Sequence, residues 1–180
     1  MNIVLKRLAA AAAAALALAL LAAPAGARIA ESNSDGFTVS VTAQAAATPE
    51  EVWTALAAPA AWWSPEHSWS GNAANLSLEA AAGGCFCERW DGNSVEHARV
   101  IFAVRAQQLR LSGAFGPLQG EALTGVLTVT LTAQAQGTQI AVEYVVGGHA
   151  RFTLQSVAPL VEQVVSEQVQ RLAALFPAEG

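Results

Sequence analysis

Glu88 and His97 are the side chains best suited to acid–base chemistry in this sequence, nine positions apart with Asp91-Gly92-Asn93 between them. A carboxylate that orients an imidazole makes a general base. If the flanking segments are strands joined through that turn, the two residues approach across the sheet. The pair then reads first as a cross-strand polar contact and second as a catalytic couple. Cys85 and Cys87 are the other reactive group. Positions i and i+2 of a regular strand lie about 6.6 Å apart, at a rise of ~3.3 Å per residue. A disulfide needs Cβ atoms within roughly 3.5–4.5 Å, so a regular strand cannot hold one between them. Three readings stay open, in this order: buried and inert thiols, a strained C-x-C disulfide, and a metal or redox site. Zinc would need two further ligands, such as His67 or His97. His67 is expected to be exposed in a bend, and His149, after Gly147-Gly148, in a loop.

The third group is aromatic. Trp62, Trp63 and Trp69, three of the five tryptophans, crowd one connection between Pro59 and Ser70. So much aromatic surface must be buried in a core or line a pocket. Trp53 is expected to be core. No nucleophile elbow, P-loop, dinucleotide fingerprint or metal-spaced histidine pair occurs in the chain. No cofactor and no metal are expected.

These residues need elements to position them. Phe37, Val39 and Val41 alternate with Thr38, Ser40 and Thr42, which is a half-buried strand. Thr48, Pro49 and Glu51 then spell a helix start, with a hydroxyl cap, a proline where no N–H is needed, and a glutamate reaching back. Short strands follow at about 75–81, 84–90, 95–105, 108–114, 122–134 and 138–147, punctuated by glycine-containing turns. Val157, Leu160, Val161, Val164, Val165, Gln168 and Leu172 keep the helical period in a closing helix, with Ser156 as its expected cap and Pro159 in its first turn. A run of antiparallel strands and one long amphipathic helix bury one sheet face by curling around that helix.

The first 27 residues read as a cleaved export signal. Lys6 and Arg7 precede an apolar run, 8–23, that Pro24 breaks before Ala25-Gly26-Ala27. The 16-residue run is shorter than the roughly 20 needed to span a bilayer. Residues 28–36 read as a flexible lead-in and 37–176 as a single domain. Without the leader, 153 residues of net charge −7 remain, and every cation among them is an arginine. So acidic a domain fits neither nucleic acid nor an anionic membrane surface. A periplasmic or secreted location follows, with no stable membrane insertion after cleavage.

The strand-then-TPEEVW opening, WW after a proline, GGCFCERW, VEHARVIFAVRAQQLRLSGAFGPL and GVLTVTLTAQAQGTQIAVEYVVGG, in that order before a terminal helix, carry a family resemblance. The chain resembles the SRPBCC superfamily of START, polyketide cyclase and pollen-allergen-like domains over nearly all of 37–176. Within it, the chain is most similar to the polyketide cyclase/dehydrase-like group and the group named after activators of the heat-shock chaperone ATPase. The resemblance implies an α+β helix-grip fold: a curved antiparallel sheet of six to seven strands around a long C-terminal helix, with two short helices after the first strand. It also implies a cavity between helix and sheet. Trp62, Trp63 and Trp69 would sit near its mouth, Glu88, Trp90 and His97 on adjoining strands, and Phe115 and Leu118 in a GPL loop. An exported form departs from the chaperone activators, which act in the cytosol. The family has no universal catalytic motif. The expected function is binding of a small apolar, aromatic or lipid-like ligand by a monomer or weak dimer. The alternative is a cyclase or dehydratase using Glu88 and His97.

Overall fold

A computed structural model describes residues 26–178. The expected export signal therefore lies outside the described residues except for Gly26 and Ala27, which open the first strand. Eight strands form one antiparallel sheet: β1 (Gly26–Ser32), β2 (Gly36–Ala45), β3 (Leu76–Leu78), β4 (Cys85–Trp90), β5 (Asn93–Val104), β6 (Gln108–Ser112), β7 (Ala122–Gln134) and β8 (Gly137–His149). Their order across the sheet is β1-β2-β8-β7-β6-β5-β4-β3. Two α-helices, α1 (Pro49–Leu56) and α2 (Leu154–Ala173), complete the fold. No helix among the described residues is long and apolar enough to cross a membrane.

β1 is the eighth strand, and it occupies 28–32 of the segment expected to be a loose lead-in. Asn33 closes its hairpin to β2, its side-chain oxygen accepting from the backbone N–H of Asp35 at 2.9 Å and of Gly36 at 3.1 Å. All seven residues of β1 are exposed. On β2 the alternation is realised in full: Phe37, Val39, Val41, Ala43 and Ala45 are buried and face the core.

The helix start forms as a reciprocal capping box. Thr48 Oγ1 accepts from Glu51 N, and Glu51 Oε2 accepts from Thr48 N at 2.8 Å. Val52, Trp53 and Leu56 form the buried face of α1. The chain then enters the tryptophan bend, where single 3-10 turns at Pro59–Ala61 and Pro65–His67 fold it back on itself.

α2 starts earlier than Ser156. Thr153 is its N-cap, so Pro159 lies inside the helix rather than in its first turn. Its ring stands on the exposed face, and the lost backbone bond falls where water is available. The buried stripe of Leu154, Ala158, Val169, Leu172 and Ala173 seats α2 against the concave face at the β1–β2 end. Over the middle of the sheet the helix stands away, and that gap is the cavity.

Candidate functional site

The space between α2, the tryptophan bend and the sheet measures about 570 Å³. Leu109, Leu111, Val129 and Val142 form its floor on β6, β7 and β8. The roof is Val157, Leu160, Val161, Val164 and Val165 of α2. Aromatic rings make the wall. Trp62, Trp63, Phe86, Phe115 and Tyr144 follow one another at centroid separations of 5.5, 5.1, 6.1 and 5.2 Å. Most of these pairs meet edge-on or tilted, the arrangement that the ring quadrupole favours. The mouth carries apolar groups in contact with solvent: Trp69 is 54% exposed, Leu160 62% and Phe152 37%.

Three polar ties hold the tryptophan bend to α2. Arg171 Nε donates to the Trp62 carbonyl at 2.7 Å, Ser64 N donates to Gln168 Oε1 at 2.8 Å, and His67 Nε2 meets Glu167 Oε2 at 3.0 Å. His67 is thus half-buried and paired, not exposed as the sequence predicts. A hydrogen bond from Ser64, together with the nearby His67, holds the Glu167 carboxyl below its usual pKa against a smaller opposing effect of burial. Two further bonds brace the bend from within: Trp62 Nε1 donates to the Ala55 carbonyl and Trp63 Nε1 to the His67 carbonyl, each at 3.0 Å. The tryptophans are therefore wall and core together, and Trp62 is as deeply buried as Trp53 is expected to be.

Glu88 and His97 do meet across the β4–β5 hairpin, next to a bulge. Asp91 and Gly92, both at positive φ, make the two-residue turn that joins β4 to β5. Register from that turn runs Trp90–Asn93 and Glu88–Val95, then slips between Phe86 and Cys87, leaving His97 as the extra residue on β5. Bulges re-aim side chains. Both His97 and its neighbour Ala98 are buried, which plain alternation would forbid. His97 Nε2 lies 3.0 Å from Glu88 Oε2, and its ring sits 5.1 Å from that of Phe86.

Glu88 is completely buried, and it accepts two more bonds, from Trp69 N at 3.0 Å and Ser70 N at 2.6 Å. Burial by itself would raise its pKa, but the bonds from Ser70, Trp69 and His97 together outweigh it, and the carboxyl sits below its usual value. Burial pushes the His97 pKa down, and the attraction of Glu88 offsets this only in part. The result is a carboxylate beside a neutral imidazole. Because the carboxylate has no proton to give, Nε2 must carry the hydrogen, and Nδ1 bears the lone pair.

Of the eight residues expected at the ligand site, Trp62, Trp63, Trp69, His97, Phe115 and Leu118 line the cavity. Glu88 stands behind His97 and reaches the cavity only through it. Trp90, at the end of β4, lies outside it. Alternation puts Trp90 on the same face as Phe86 and Glu88, but it pairs with Asn93 at the hairpin tip, beyond the end of the cavity.

Cys85 and Cys87 are joined in a disulfide, which corrects the expectation of inert thiols. The register slip in β4–β5 breaks regular strand geometry at this point. The two Cα atoms stand 5.4 Å apart, inside the range of about 4.4–6.8 Å that a disulfide accepts. Alternation turns the pair to the outer face, where the Glu96 carboxylate lies 4.0 Å from Cys85 Sγ. Both sulfurs are consumed by the bond, and His67 and His97 are committed to Glu167 and Glu88. The four side chains considered for zinc do not converge.

Gln168 was legible only as part of the helical period. It is 4% exposed and lines the cavity. Its oxygen accepts from the Ser64 backbone, which can only donate, so the amide orientation is fixed. Gln168 Nε2 is the one buried side-chain polar atom without a partner among the described residues.

No family model and no curated protein matches the chain. Solved structures do. The chain is similar to the Mll3558 protein from Rhizobium loti, at 20% identity over 76% of this chain and 94% of that one, with a TM-score of 0.56. It is similar to a protein from Rhizobium leguminosarum, at 20% identity over 84% and 96%, TM-score 0.55. It is also similar to CalU16 from Micromonospora echinospora, at 14% identity over 86% of each, TM-score 0.55. Likenesses at this level carry the architecture alone: an α+β, helix-grip-like fold in which a large antiparallel sheet meets a long C-terminal helix.

Proposed function

We propose that the chain is an exported binding domain of the SRPBCC type, holding a small apolar or aromatic ligand between α2 and the sheet. The observation that carries this reading is the cavity. Its volume of about 570 Å³ falls within the roughly 300–1,000 Å³ of small-molecule sites. Its walls are aliphatic and aromatic, with a few polar groups placed among them. An apolar space of this size is favourable to fill with an apolar guest, because guest and wall both leave water. Export is supported by the leader sequence and by a disulfide, a bond that persists in oxidising compartments.

Native mass spectrometry of protein purified without denaturation tests the reading. A copurified small molecule, or stoichiometric uptake of a naphthalene-sized probe, is the expected result. A protein that takes up nothing, with the cavity closed over its own side chains, overturns it.

One observation favours a second reading. His97 presents a neutral imidazole to the cavity with a buried carboxylate behind it, which is the arrangement of a general base. In that reading a ligand proton passes to His97 Nδ1 and the resulting imidazolium is stabilised by Glu88, as in a cyclase or dehydratase. Turnover abolished by His97→Phe would distinguish it from simple binding.

A further inference from the structure

We infer that the ligand is an aromatic molecule bearing a hydroxyl, and that this hydroxyl donates its hydrogen bond to His97 Nδ1. The inference rests on the binding reading above and names the chemistry of its guest. His97 is 6% exposed and lines the cavity, so its ring faces the guest and not bulk water. Nε2 is taken by Glu88, and no described residue bonds Nδ1. Two observations fix the hydrogen on Nε2: Glu88 already accepts from two backbone N–H groups, and as an anion it has no proton to donate. What His97 offers the cavity is therefore an acceptor. A hydrocarbon guest would seal that lone pair away from water without a partner, an unfavourable outcome. A guest with a hydroxyl supplies the missing donor.

The wall around the imidazole selects the rest of the molecule. Phe86 packs on His97, and Trp63 and Phe115 flank Phe86 at 5.1 and 6.1 Å. A ring stacked or edge-on among these three places its substituent at the imidazole. Phenolic hydroxyls are stronger donors than alkyl ones, and an anion behind the acceptor imidazole strengthens the bond further. Serine hydroxyls of the bend are engaged elsewhere: Ser68 Oγ donates to the Pro65 carbonyl at 2.8 Å and Ser70 Oγ to the Asn72 carbonyl at 3.2 Å.

Isothermal titration calorimetry with 2-naphthol and 2-methylnaphthalene, which match in size and differ in the donor, tests the inference on the wild type and on His97→Phe. The ratio of the two affinities is the readout, because hydrophobicity and general pocket damage cancel within it. In the wild type the ratio should favour 2-naphthol by about tenfold more than in His97→Phe, the equivalent of one good hydrogen bond. An unchanged ratio with both probes binding overturns the hydroxyl inference and leaves the binding reading intact. No binding of either probe overturns both. Should His97→Phe fail to fold, long-range ¹⁵N spectra of the wild type decide: the Nδ1 resonance should move with 2-naphthol and stay with 2-methylnaphthalene. A resonance that responds equally to both refutes the inference.

Discussion

Replacing Glu88 by Gln removes one charge from the fully buried heart of the site and keeps its shape. Three donors converge on the native carboxylate: the Ser70 N–H on Oε1, and the Trp69 N–H and His97 Nε2–H on Oε2. A glutamine has one acceptor oxygen. Placed toward Trp69 and His97, it turns its NH2 against the Ser70 N–H, so a bond to a charged group is lost and a buried donor is orphaned. Each of these costs about 1–3 kcal/mol, and relief from burying a charge returns part of it. The hydrogen bonds already outweigh burial in setting the proton affinity of Glu88, so the fold prefers the anion. A net loss of about 3 kcal/mol follows. Urea unfolding followed by circular dichroism at several pH values measures it, with an unchanged m-value as the check on two-state behaviour.

The pH dependence gives the sharper test. Both native pKa values are depressed, from 4.5 for Glu88 and from 6.5 for His97, so the unfolded chain binds protons that the folded one refuses. Stability from these groups is present above those values and is lost as pH falls, first through the His97 window below about 6.5 and then through the Glu88 window below about 4.5. Once protonated, Glu88 resembles the glutamine. The gap between wild type and Glu88→Gln should therefore narrow as pH drops below about 4.5. A gap under about 0.5 kcal/mol at neutral pH, or one that keeps its size down to acid unfolding, would refute the reasoning.

Reduction of the Cys85–Cys87 disulfide should cost only about 1.5 kcal/mol, because closing so short a loop constrains the unfolded chain little; thermal melts with and without a reductant measure it, and unfolding on reduction would contradict it. Gly125→Ala should destabilise by roughly 2–4 kcal/mol. A Cβ there meets the Gly113 carbonyl oxygen at 2.4 Å and the Tyr144 ring at 2.7 Å, and Tyr144 OH holds both Gly113 O and Phe115 N; a melting temperature equal to wild type would show that this corner yields. Val161→Trp should fill the cavity from α2 and lower uptake of 2-methylnaphthalene at least tenfold while the melting temperature holds or rises; unchanged uptake in calorimetry would place the ligand elsewhere.

Elements with strong local chemistry were legible in the sequence. The Thr48–Glu51 capping box, the alternation of β2 and the Asp91-Gly92 turn each follow from a few adjacent residues whose side chains satisfy backbone groups nearby. The meeting of Glu88 and His97 was legible for the same reason, since a two-residue turn fixes register for several pairs beyond it. The bulge at His97 leaves no mark in residue type, and so a disulfide ranked behind inert thiols. β1 escaped because a strand exposed along its whole length shows no hydrophobic period. The start of α2 was misplaced because Thr153 caps without a side-chain bond, whereas Ser156 merely donates to its carbonyl. The ties of Gln168 to Ser64 and of Glu167 to His67 span about a hundred positions, and no local pattern encodes such contacts.

The sheet does not close on itself, so it ends in two free edges, and each is unattractive to another chain. β3 is three residues long, too short to template a strand added beside it. β1 is longer, but it presents Arg28 and Glu31 to solvent, and its pairing with β2 shifts between Ile29 and Glu31. Charge on one rim and brevity on the other are features by which open sheets resist stacking into aggregates. The protein can thus keep a deep apolar cavity and a mouth ringed by Trp69, Phe152 and Leu160 while its backbone offers neighbours little to bind. Self-association through the mouth would be suppressed by a guest that fills it.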